Sequence, residues 1–213
     1  MKLKILAAFC AFVAIIAPLP ALANSTLTDV SIVLSNQTAS QPTDVVITYR
    51  TAATLVGAGG GAGDYLLNFA VGVQGLTLAA QSNCLPGSVS VTIGGAPLAG
   101  TLHRCSISGN PSVSELNLIL GAGQTVSAGS LIEVTIRSSA ASAGPTPGTY
   151  SPSTFRTIYN SSTEVGTPAA PPTFTVNAPP APVPTMTEWA MILLGLILAG
   201  GAAVLIQRRR QLD

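Results

Sequence analysis

The chain has 213 residues, of which 47% are hydrophobic and only 8% are charged, whereas an average soluble protein has about 25% charged residues. This composition argues against an ordinary cytosolic enzyme. Nine Lys and Arg against eight Asp and Glu give a net charge of +1, but five of the basic residues lie at the two ends of the chain. The long middle part therefore has no basic face, which argues against a nucleic-acid partner.

Residues 1–23 have the three parts of a secretory signal peptide. Two lysines among the first four residues precede an apolar stretch of about 12 residues, and Ala21 and Ala23 form an A-x-A pattern. We predict cleavage after Ala23, so that Asn24 is the first mature residue. The partners this implies are signal peptidase and the general export machinery. An uncleaved anchor is the weaker alternative, because a membrane-spanning helix needs ~20 apolar residues.

Residues 24–176 are predicted to form one β-rich body. Short runs of alternating or β-branched apolar residues are separated by clusters of Gly, Pro, Ser and Asn, as is typical of a β-sandwich. The clearest predicted strands are 29–34, 45–50, 65–71, 88–93, 101–107, 115–120, 131–137, 155–159 and 174–176. No window combines a 3.6-residue apolar period with helix caps, so we predict an all-β body without long helices.

The segment 131–137 illustrates this pattern. Ile132, Val134 and Ile136 alternate with more polar residues, which is expected of a sheet that is packed on one face only. The longer segment 127–150, a turn, an amphipathic strand and a Pro-Gly-Thr-Tyr return, loosely resembles the Ig-like modules of bacterial surface proteins. The resemblance implies an Ig-like β-sandwich and specifies no activity.

Two cysteines of the body, Cys84 and Cys105, are predicted to form a disulfide, because an exported chain with one such pair meets an oxidising compartment. We expect Cys105 to lie in a strand that folds back on 88–93 through the 94–100 loop. Because Cys84 lies just before 88–93, the disulfide would link the two strands at the edge of this hairpin. Closing a loop of about 21 residues stabilises a fold by roughly 3 kcal/mol. A reactive thiol pair beside His103 is the alternative.

The sequence lacks motifs for catalysis and metal binding. His103 is the single histidine, so a His-based zinc site is excluded within one chain, and there is no Gly-x-Ser-x-Gly elbow. The Gly-rich tract 57–63 has no Lys-Ser/Thr of a phosphate-binding loop. We therefore predict no enzyme activity, no catalytic residue, no metal and no cofactor. Two pairs remain as weak calcium-ligand candidates: Asp29 with Asp44, and Asp64 with Asn68.

The C-terminal part is predicted to be a spacer and a membrane helix. The Pro/Ala-rich stretch 177–183 is an uncharged, semi-rigid spacer. Residues 189–206 hold no charge over 18 residues and would form a helix of about 27 Å, enough to cross a hydrocarbon core. We expect Thr187 to cap this helix and Glu188 to lie in its first turn. By the positive-inside rule, three arginines stay in the cytoplasm and the body lies outside: Arg208, Arg209 and Arg210.

A short motif precedes the helix: Val183, Pro184, Thr185, Met186, Thr187, Glu188 and Trp189. With the apolar helix and the Arg run, the tail 183–213 resembles the IPTL-CTERM class of protein-sorting signals. The resemblance implies a Gram-negative-type envelope protein whose tail is recognised by an exosortase, a membrane-embedded, cysteine-dependent enzyme. The departures are Val183 for Ile, Met186 for Leu and Ala190 for the usual Gly, and they keep similar size and polarity.

The leading interpretation is an exported, non-enzymatic envelope protein with a structural or surface-matrix role. It would be anchored transiently in the inner membrane, then found at the cell surface, in the outer envelope or outside the cell, with exopolysaccharide as a candidate partner. Its predicted parts are the signal peptide 1–23, the β-sandwich 24–176, the spacer 177–183 and the sorting signal 184–213. The alternatives are a surface adhesin or carbohydrate-binding module retained as a single-pass membrane protein, and a secreted hydrolase. An exposed aromatic row or a calcium site would favour the binding module.

Overall fold

The computed structural model describes residues 25–58, 63–159, 163–183 and 186–210. The chain divides into two compact units, Met1–Asn177 and Ala178–Asp213. In its described residues, the first unit, here called the body, is built of strands, and the second contains one helix. The predicted signal peptide, with Ala21, Ala23 and Asn24 at its cleavage site, lies outside the described residues.

The described part of the body contains sixteen strands. They are β1 (Ser25–Leu34), β2 (Val45–Arg50), β3 (Leu55–Val56), β4 (Tyr65–Gly72), β5 (Leu76–Leu78), β6 (Val89–Ile93), β7 (Ala96–Pro97), β8 (Arg104–Gly109), β9 (Val113–Ile119), β10 (Thr125–Val126), β11 (Leu131–Ile136), β12 (Ala141–Ala143), β13 (Gly148–Tyr150), β14 (Thr154–Tyr159), β15 (Thr163–Pro168) and β16 (Phe174–Val176). The prediction of a β-rich body is confirmed. Each predicted strand has a counterpart. Seven of the described strands were not predicted: the two- and three-residue strands β3, β5, β7, β10, β12 and β13, and the six-residue strand β15, in which a Gly and a Pro interrupt the alternation.

Ten of these strands form one curled sheet in the order β7-β6-β11-β2-β1-β15-β14-β4-β9-β8. Neighbouring strands are antiparallel, apart from the parallel pair β1 and β15. Short two-stranded pairs, β10 with β3, β12 with β5 and β13 with β16, complete the described strand pairing. Within the ten-stranded sheet, four antiparallel pairs join strands that are consecutive in sequence, as the short turns predicted between them require. The other four antiparallel pairs join strands that lie far apart in sequence.

Strand β1 joins the two halves of the curled sheet, which are β7-β6-β11-β2 on one side and β15-β14-β4-β9-β8 on the other. Residues 25–27 pair with β15, residues 28–34 pair with β2, and the register shifts between Thr28 and Ser31. Within this shift Asp29 has a φ of 52°, a left-handed conformation in which Asp is found more often than most residues. The local bend lets one strand serve both halves of the sheet.

The halves pack against each other around Tyr49, which is fully buried on β2. Its hydroxyl donates a hydrogen bond of 2.6 Å to the carbonyl of Leu66 on β4. Its ring lies edge-on to Phe155 on β14, with 5.6 Å between ring centroids, and Phe155 lies edge-on to Phe69 at 6.2 Å. Burial raises the pKa of the Tyr49 hydroxyl far above its ordinary value. Because these strands are several positions apart in the sheet, the contacts show that it curls over one apolar core.

The pairing of β8 differs from our prediction. Strand β8 pairs with β9, matching Cys105 with Leu118 and Ile107 with Leu116. Strand β6 instead pairs with β11 and with the short strand β7 in the 94–100 loop. The predicted hairpin between 88–93 and 101–107 is therefore wrong, because β7 turns back on β6 first and takes the place that β8 would have occupied.

Candidate functional site

The chain leaves the body at Asn177. The backbone N–H of Asn177 donates to the carbonyl of Gln37 at 2.6 Å, and its own carbonyl accepts from the N–H of Ala39 at 2.9 Å. Its side-chain amide adds a bond of 3.1 Å to Gln37 Oε1. Residues 178–183 that follow are exposed and belong to no helix or strand. The predicted spacer 177–183 thus includes Asn177, which belongs to the body, and the exposed stretch begins at residue 178.

The second unit contains helix α1 (Met186–Arg210). Glu188 in its first turn and the arginines in its last turn complement the helix dipole. Glu188–Arg210, 23 residues, is long and apolar enough to cross a membrane, and none of its most apolar stretch is buried inside the protein. Large apolar side chains point outward along it: Trp189, Met191, Ile192, Leu193, Leu194, Leu196, Ile197, Leu198, Val204, Leu205 and Ile206. A helix that is apolar all round needs a nonpolar surrounding, and the predicted C-terminal apolar helix is confirmed.

The predicted sorting motif lies where the spacer meets this helix. Val183 is 82% exposed at the end of the spacer, and Pro184 and Thr185 lie outside the described residues. The helix begins at Met186, so Thr187 falls within its first turn and does not cap it, contrary to our expectation. The last turn holds the predicted cytoplasmic arginines: Arg208, Arg209 and Arg210.

The Cys84–Cys105 disulfide is confirmed, with 5.3 Å between the Cα atoms and a sequence separation of 21. It joins the segment before β6 to strand β8, and the Cys84 N–H donates to the Cys105 carbonyl at 2.8 Å. With both sulfurs in the disulfide, neither is available as a thiolate nucleophile. His103 lies exposed just before β8, and its backbone N–H donates to the carbonyl of Ile119 at 2.9 Å.

The first pair of calcium-ligand candidates is split between two ion pairs. Asp29 Oδ2 lies 2.6 Å from Arg50 Nε, and Asp44 Oδ2 lies 3.2 Å from Arg137 Nη1. Both pairs are partly exposed, so each contributes little to stability. Among the residues that the structure describes, no group of three or more His, Cys, Asp or Glu is placed to hold a metal ion.

Asp44 makes the stability of the body depend on acid pH. The backbone N–H of Ser138, 2.7 Å from Asp44 Oδ1, and secondarily Arg137 hold the pKa of this carboxyl below its ordinary value of 3.8. The ionised carboxylate therefore stabilises the fold at pH values above 3.8, and this contribution is lost as the pH falls through the lower folded-state pKa. We expect Asp44→Asn to flatten the fall in the free energy of unfolding below about pH 4.

Urea unfolding over a series of acid pH values measures this dependence. Arg137→Gln is the matched comparison, because it keeps the Ser138 N–H and removes the smaller of the two influences on Asp44. Arg137→Gln should reduce the dependence of the free energy of unfolding on acid pH less than Asp44→Asn does. If the free energy of unfolding fell equally steeply with pH in the wild type and in Asp44→Asn, the role given to Asp44 would be contradicted.

The second pair of calcium-ligand candidates is also separated. Asp64 is buried, and its Oδ2 accepts a bond of 2.6 Å from the backbone N–H of Val56. Asn68 instead takes part in a side-chain network across β14, β4 and β9. Its Nδ2 donates to Glu115 Oε1 at 2.9 Å and to Asn117 Oδ1 at 2.7 Å. The carboxylate and the amide thus hold parts of the fold together.

The network around Asn68 was not predicted from the sequence. Arg156 Nε donates to Asn68 Oδ1 at 2.9 Å, and Asn117 Nδ2 donates to Glu115 Oε1 at 3.0 Å. Strand register causes this arrangement, because Asn68 lies opposite Asn117 on β9 and opposite Arg156 on β14. The available signal was the single amide inside the otherwise apolar run of β4. Since these groups bond to one another, the network is a structural feature of the sheet.

The aromatic residues of the body serve mainly in packing. Phe155 belongs to the core described above, and Tyr150 packs on Phe174 with 6.0 Å between ring centroids. The large hydrophobic side chains exposed in the described part of the body are three scattered residues: Val33, Val56 and Leu85. Within the described residues there is thus neither an exposed aromatic row nor a cation site of the kind that would favour a carbohydrate-binding module.

A β-rich body, an exposed spacer and one apolar helix long enough to cross a membrane follow one another along the chain, as is typical of proteins with a C-terminal membrane segment. Comparison with protein families is more specific, because residues 181–210 match the IPTL-CTERM motif. The tail is therefore an IPTL-CTERM sorting signal, which implies an exported substrate of an exosortase. This match confirms the resemblance seen in the sequence.

The body has no such specific match. No curated protein is significantly similar in sequence to this chain. Among solved structures, the body resembles the crystal structure of BslA, a bacterial hydrophobin, with 18% sequence identity and a TM-score of 0.35. The similarity covers 73% of this chain and 100% of the other. At that TM-score the likeness is too distant to support an inference about function.

Proposed function

We propose that this chain is an exported envelope protein with a structural or surface-matrix role, released from its membrane tail by an exosortase-type enzyme. The observation that carries the proposal is the IPTL-CTERM match at 181–210, which begins in an exposed spacer and continues into an outward-facing apolar helix. An exposed, extended segment beside a membrane is accessible to a membrane-embedded processing enzyme, whereas a segment paired into the sheet would not be.

The proposal assigns four parts to the chain. Residues 1–23 are a signal peptide cleaved before Asn24, and 24–176 are an Ig-like β-sandwich. Residues 177–183 are a spacer, and 184–213 are the sorting signal. The sandwich assignment is supported by the buried contacts of Tyr49 with the opposite half of the sheet, and by the change of partner along β1.

Each part of the proposed sorting signal has its own physical role. A proline ring disfavours a helical residue before it, so Pro184 keeps the preceding chain extended up to the helix. The indole of Trp189 suits the membrane interface, and the arginines 208–210 hold the far end in the cytoplasm. The motif 183–189 would then lie at the outer membrane surface, where the exosortase cuts. After the cut, the body moves to the cell surface, outer envelope or medium.

The role assigned to the body is structural. The supporting observations are the disulfide, the hydrogen-bonded network around Asn68 and the small number of exposed apolar side chains in the described residues. Such a body suits a water-filled matrix outside the cell, in which exopolysaccharide is a candidate neighbour. The adhesin and hydrolase alternatives gain no support from the described residues.

Mass spectrometry of the mature protein tests the proposal. In cells with the exosortase, the protein should lack α1, whereas cells without the enzyme should retain it. Intact α1 in wild-type cells would overturn the sorting proposal and leave a single-pass membrane protein. The same spectra give the N-terminus, which should be Asn24.

A double variant, Pro184→Ala with Trp189→Ala, should accumulate uncleaved in the membrane fraction. The reason is that it loses both the extended entry to the helix and the interfacial anchor while keeping the apolar span. Pro179→Ala with Leu198→Ala is the matched control, since it removes one proline and one large apolar side chain outside the motif. Immunoblots of membrane and released fractions should show normal release for the control, and release of the first variant would count against the motif.

A further inference from the structure

The two ends of the ten-stranded sheet are closed in different ways. One end is β7, which has two residues, and its Pro97 has no N–H to offer. The other end is β8, which has six residues. An edge strand presents backbone groups onto which another strand can be added. A long edge such as β8 must therefore be covered if the body is to stay a single copy.

Residues 81–84, here called the cover segment, lie along β8. Gln81 and Ile107 exchange two backbone hydrogen bonds of 2.7 and 2.8 Å. The N–H of Cys84 donates to the carbonyl of Cys105 at 2.8 Å. These bonds occupy outward-facing backbone groups of β8, which are the groups that an added strand would use.

The cover segment has few other attachments to β8. Its pairing is an isolated bridge between Gln81 and Ile107, and its middle residues, Ser82 and Asn83, are exposed. The Gln81 side chain bonds within the same loop, accepting from the Leu85 N–H at 2.9 Å. The Cys84–Cys105 disulfide is the covalent link, and without it three backbone bonds must offset the conformational entropy of the ordered loop.

We propose that β8 is a latent self-association edge, which the disulfide-held cover segment closes and which a second copy of this chain occupies when the disulfide is open. Opening breaks the S–S bond, and each sulfur gains one electron and one proton from a dithiol, which becomes a disulfide. After export, a disulfide-bearing oxidant accepts the same two electrons and two protons from the thiols, closing the edge. This device acts independently of the sorting signal.

The side chains of β8 suit a second copy. In an antiparallel pair centred on Ser106, each Arg104 lies opposite Ser108 of the second copy, so that no two like charges meet. Arg104 and Ser108 are exposed, whereas Ile107 faces the core of its own body. Strand addition would thus continue the sheet and satisfy the backbone groups that the cover segment leaves.

Light scattering of the full chain in detergent, coupled to size exclusion, tests the proposal. The oxidised wild type should contain one copy, and Cys84→Ser with Cys105→Ser should double the protein mass. Helix α1 is identical in both, so association through the helix cannot cause the difference. Adding Ser108→Lys should restore one copy, because a lysine then faces Arg104 of the second copy. Adding Ser90→Lys, an exposed position on β6, should leave the mass doubled.

A folded double-serine variant that stays a single copy would overturn the proposal, as would equal effects of the two lysines. If that variant does not fold, hydrogen exchange of the wild type with and without dithiothreitol decides. Reduction should speed exchange in peptides containing Cys84 while β4 and β9 stay protected, and exchange in peptides containing Ile107 should slow as the concentration of reduced protein is raised. Unchanged protection at Cys84, exchange at Ile107 that does not depend on concentration, or loss of protection throughout the body would refute it.

Discussion

Replacing Tyr49 by alanine is expected to lower the free energy of unfolding of the body by about 4 kcal/mol. The ring is fully buried and touches Phe155, and the hydroxyl bonds to the Leu66 carbonyl on the opposite half of the sheet. The truncation leaves a cavity between the two halves and an unpaired buried carbonyl. Urea unfolding of the full chain, followed by far-UV circular dichroism, measures the loss.

Tyr49→Phe separates the contribution of the Tyr49 hydroxyl from that of its ring, and Tyr150→Ala is the control. Tyr49→Phe keeps the ring and removes the hydroxyl, so we expect a loss of about 1–2 kcal/mol from the unpaired Leu66 carbonyl. Tyr150→Ala is the control of the same residue type, because Tyr150 is only half-buried and its hydroxyl bonds at an exposed position. A loss for Tyr150→Ala as large as that for Tyr49→Ala would contradict the central place given to Tyr49.

Gly57→Ala is the second substitution with a large expected effect, a loss of about 3 kcal/mol in the free energy of unfolding. A Cβ atom at Gly57 would overlap the backbone carbonyl oxygen of Gly121. The two chain segments are tied here, because the Gly57 N–H donates to the Gln124 carbonyl at 2.8 Å and its carbonyl accepts from Gly123 at 3.2 Å. A backbone atom cannot turn aside as a flexible side chain can, so relief requires separating the segments.

Gly72→Ala is the matched control for this prediction. Gly72 ends strand β4, and a Cβ there would have its nearest neighbour, the Ser112 carbonyl oxygen, at 4.0 Å. Alanine in a strand also loses less conformational entropy on folding than glycine, so the control should keep wild-type stability within about 0.5 kcal/mol. Thermal unfolding of both variants gives the comparison, and similar melting temperatures for the two would refute the packing argument.

The strand positions followed from local patterns, but their partners did not. Alternation in 131–137 predicted β11, because side chains on a strand alternate between a wet and a buried face whatever strand lies beside it. The neighbour of β8 depends on how β7 turns within the 94–100 loop, which is a property of the backbone and not of the apolar pattern. Strand β15 was missed because Gly166 and Pro168 interrupt its alternation of polar and apolar residues.

The candidate sites also differ in whether local sequence patterns or contacts between distant residues create them. The sorting tail is a linear motif, so it was recognised without any contact between distant residues, and the roles of Pro184, Trp189 and the terminal arginines are predictions. The network of Asn68 with Glu115, Asn117 and Arg156 depends on the register of three strands. Polar residues scattered over about ninety positions have no local mark that would join them into one cluster.

The sequence by itself therefore determined the C-terminal sorting signal of this protein, its β-rich body and the pairing of its two body cysteines. These properties depend on short segments, on charge at the ends and on there being one pair to form. Only the tertiary structure decided where the two segments that carry these cysteines lie in the sheet. Cys84 lies in the cover segment and Cys105 on the edge strand β8, so the disulfide lies across a sheet edge and not within a hairpin. The reason is physical, because an edge exists only once all ten strands have taken their order.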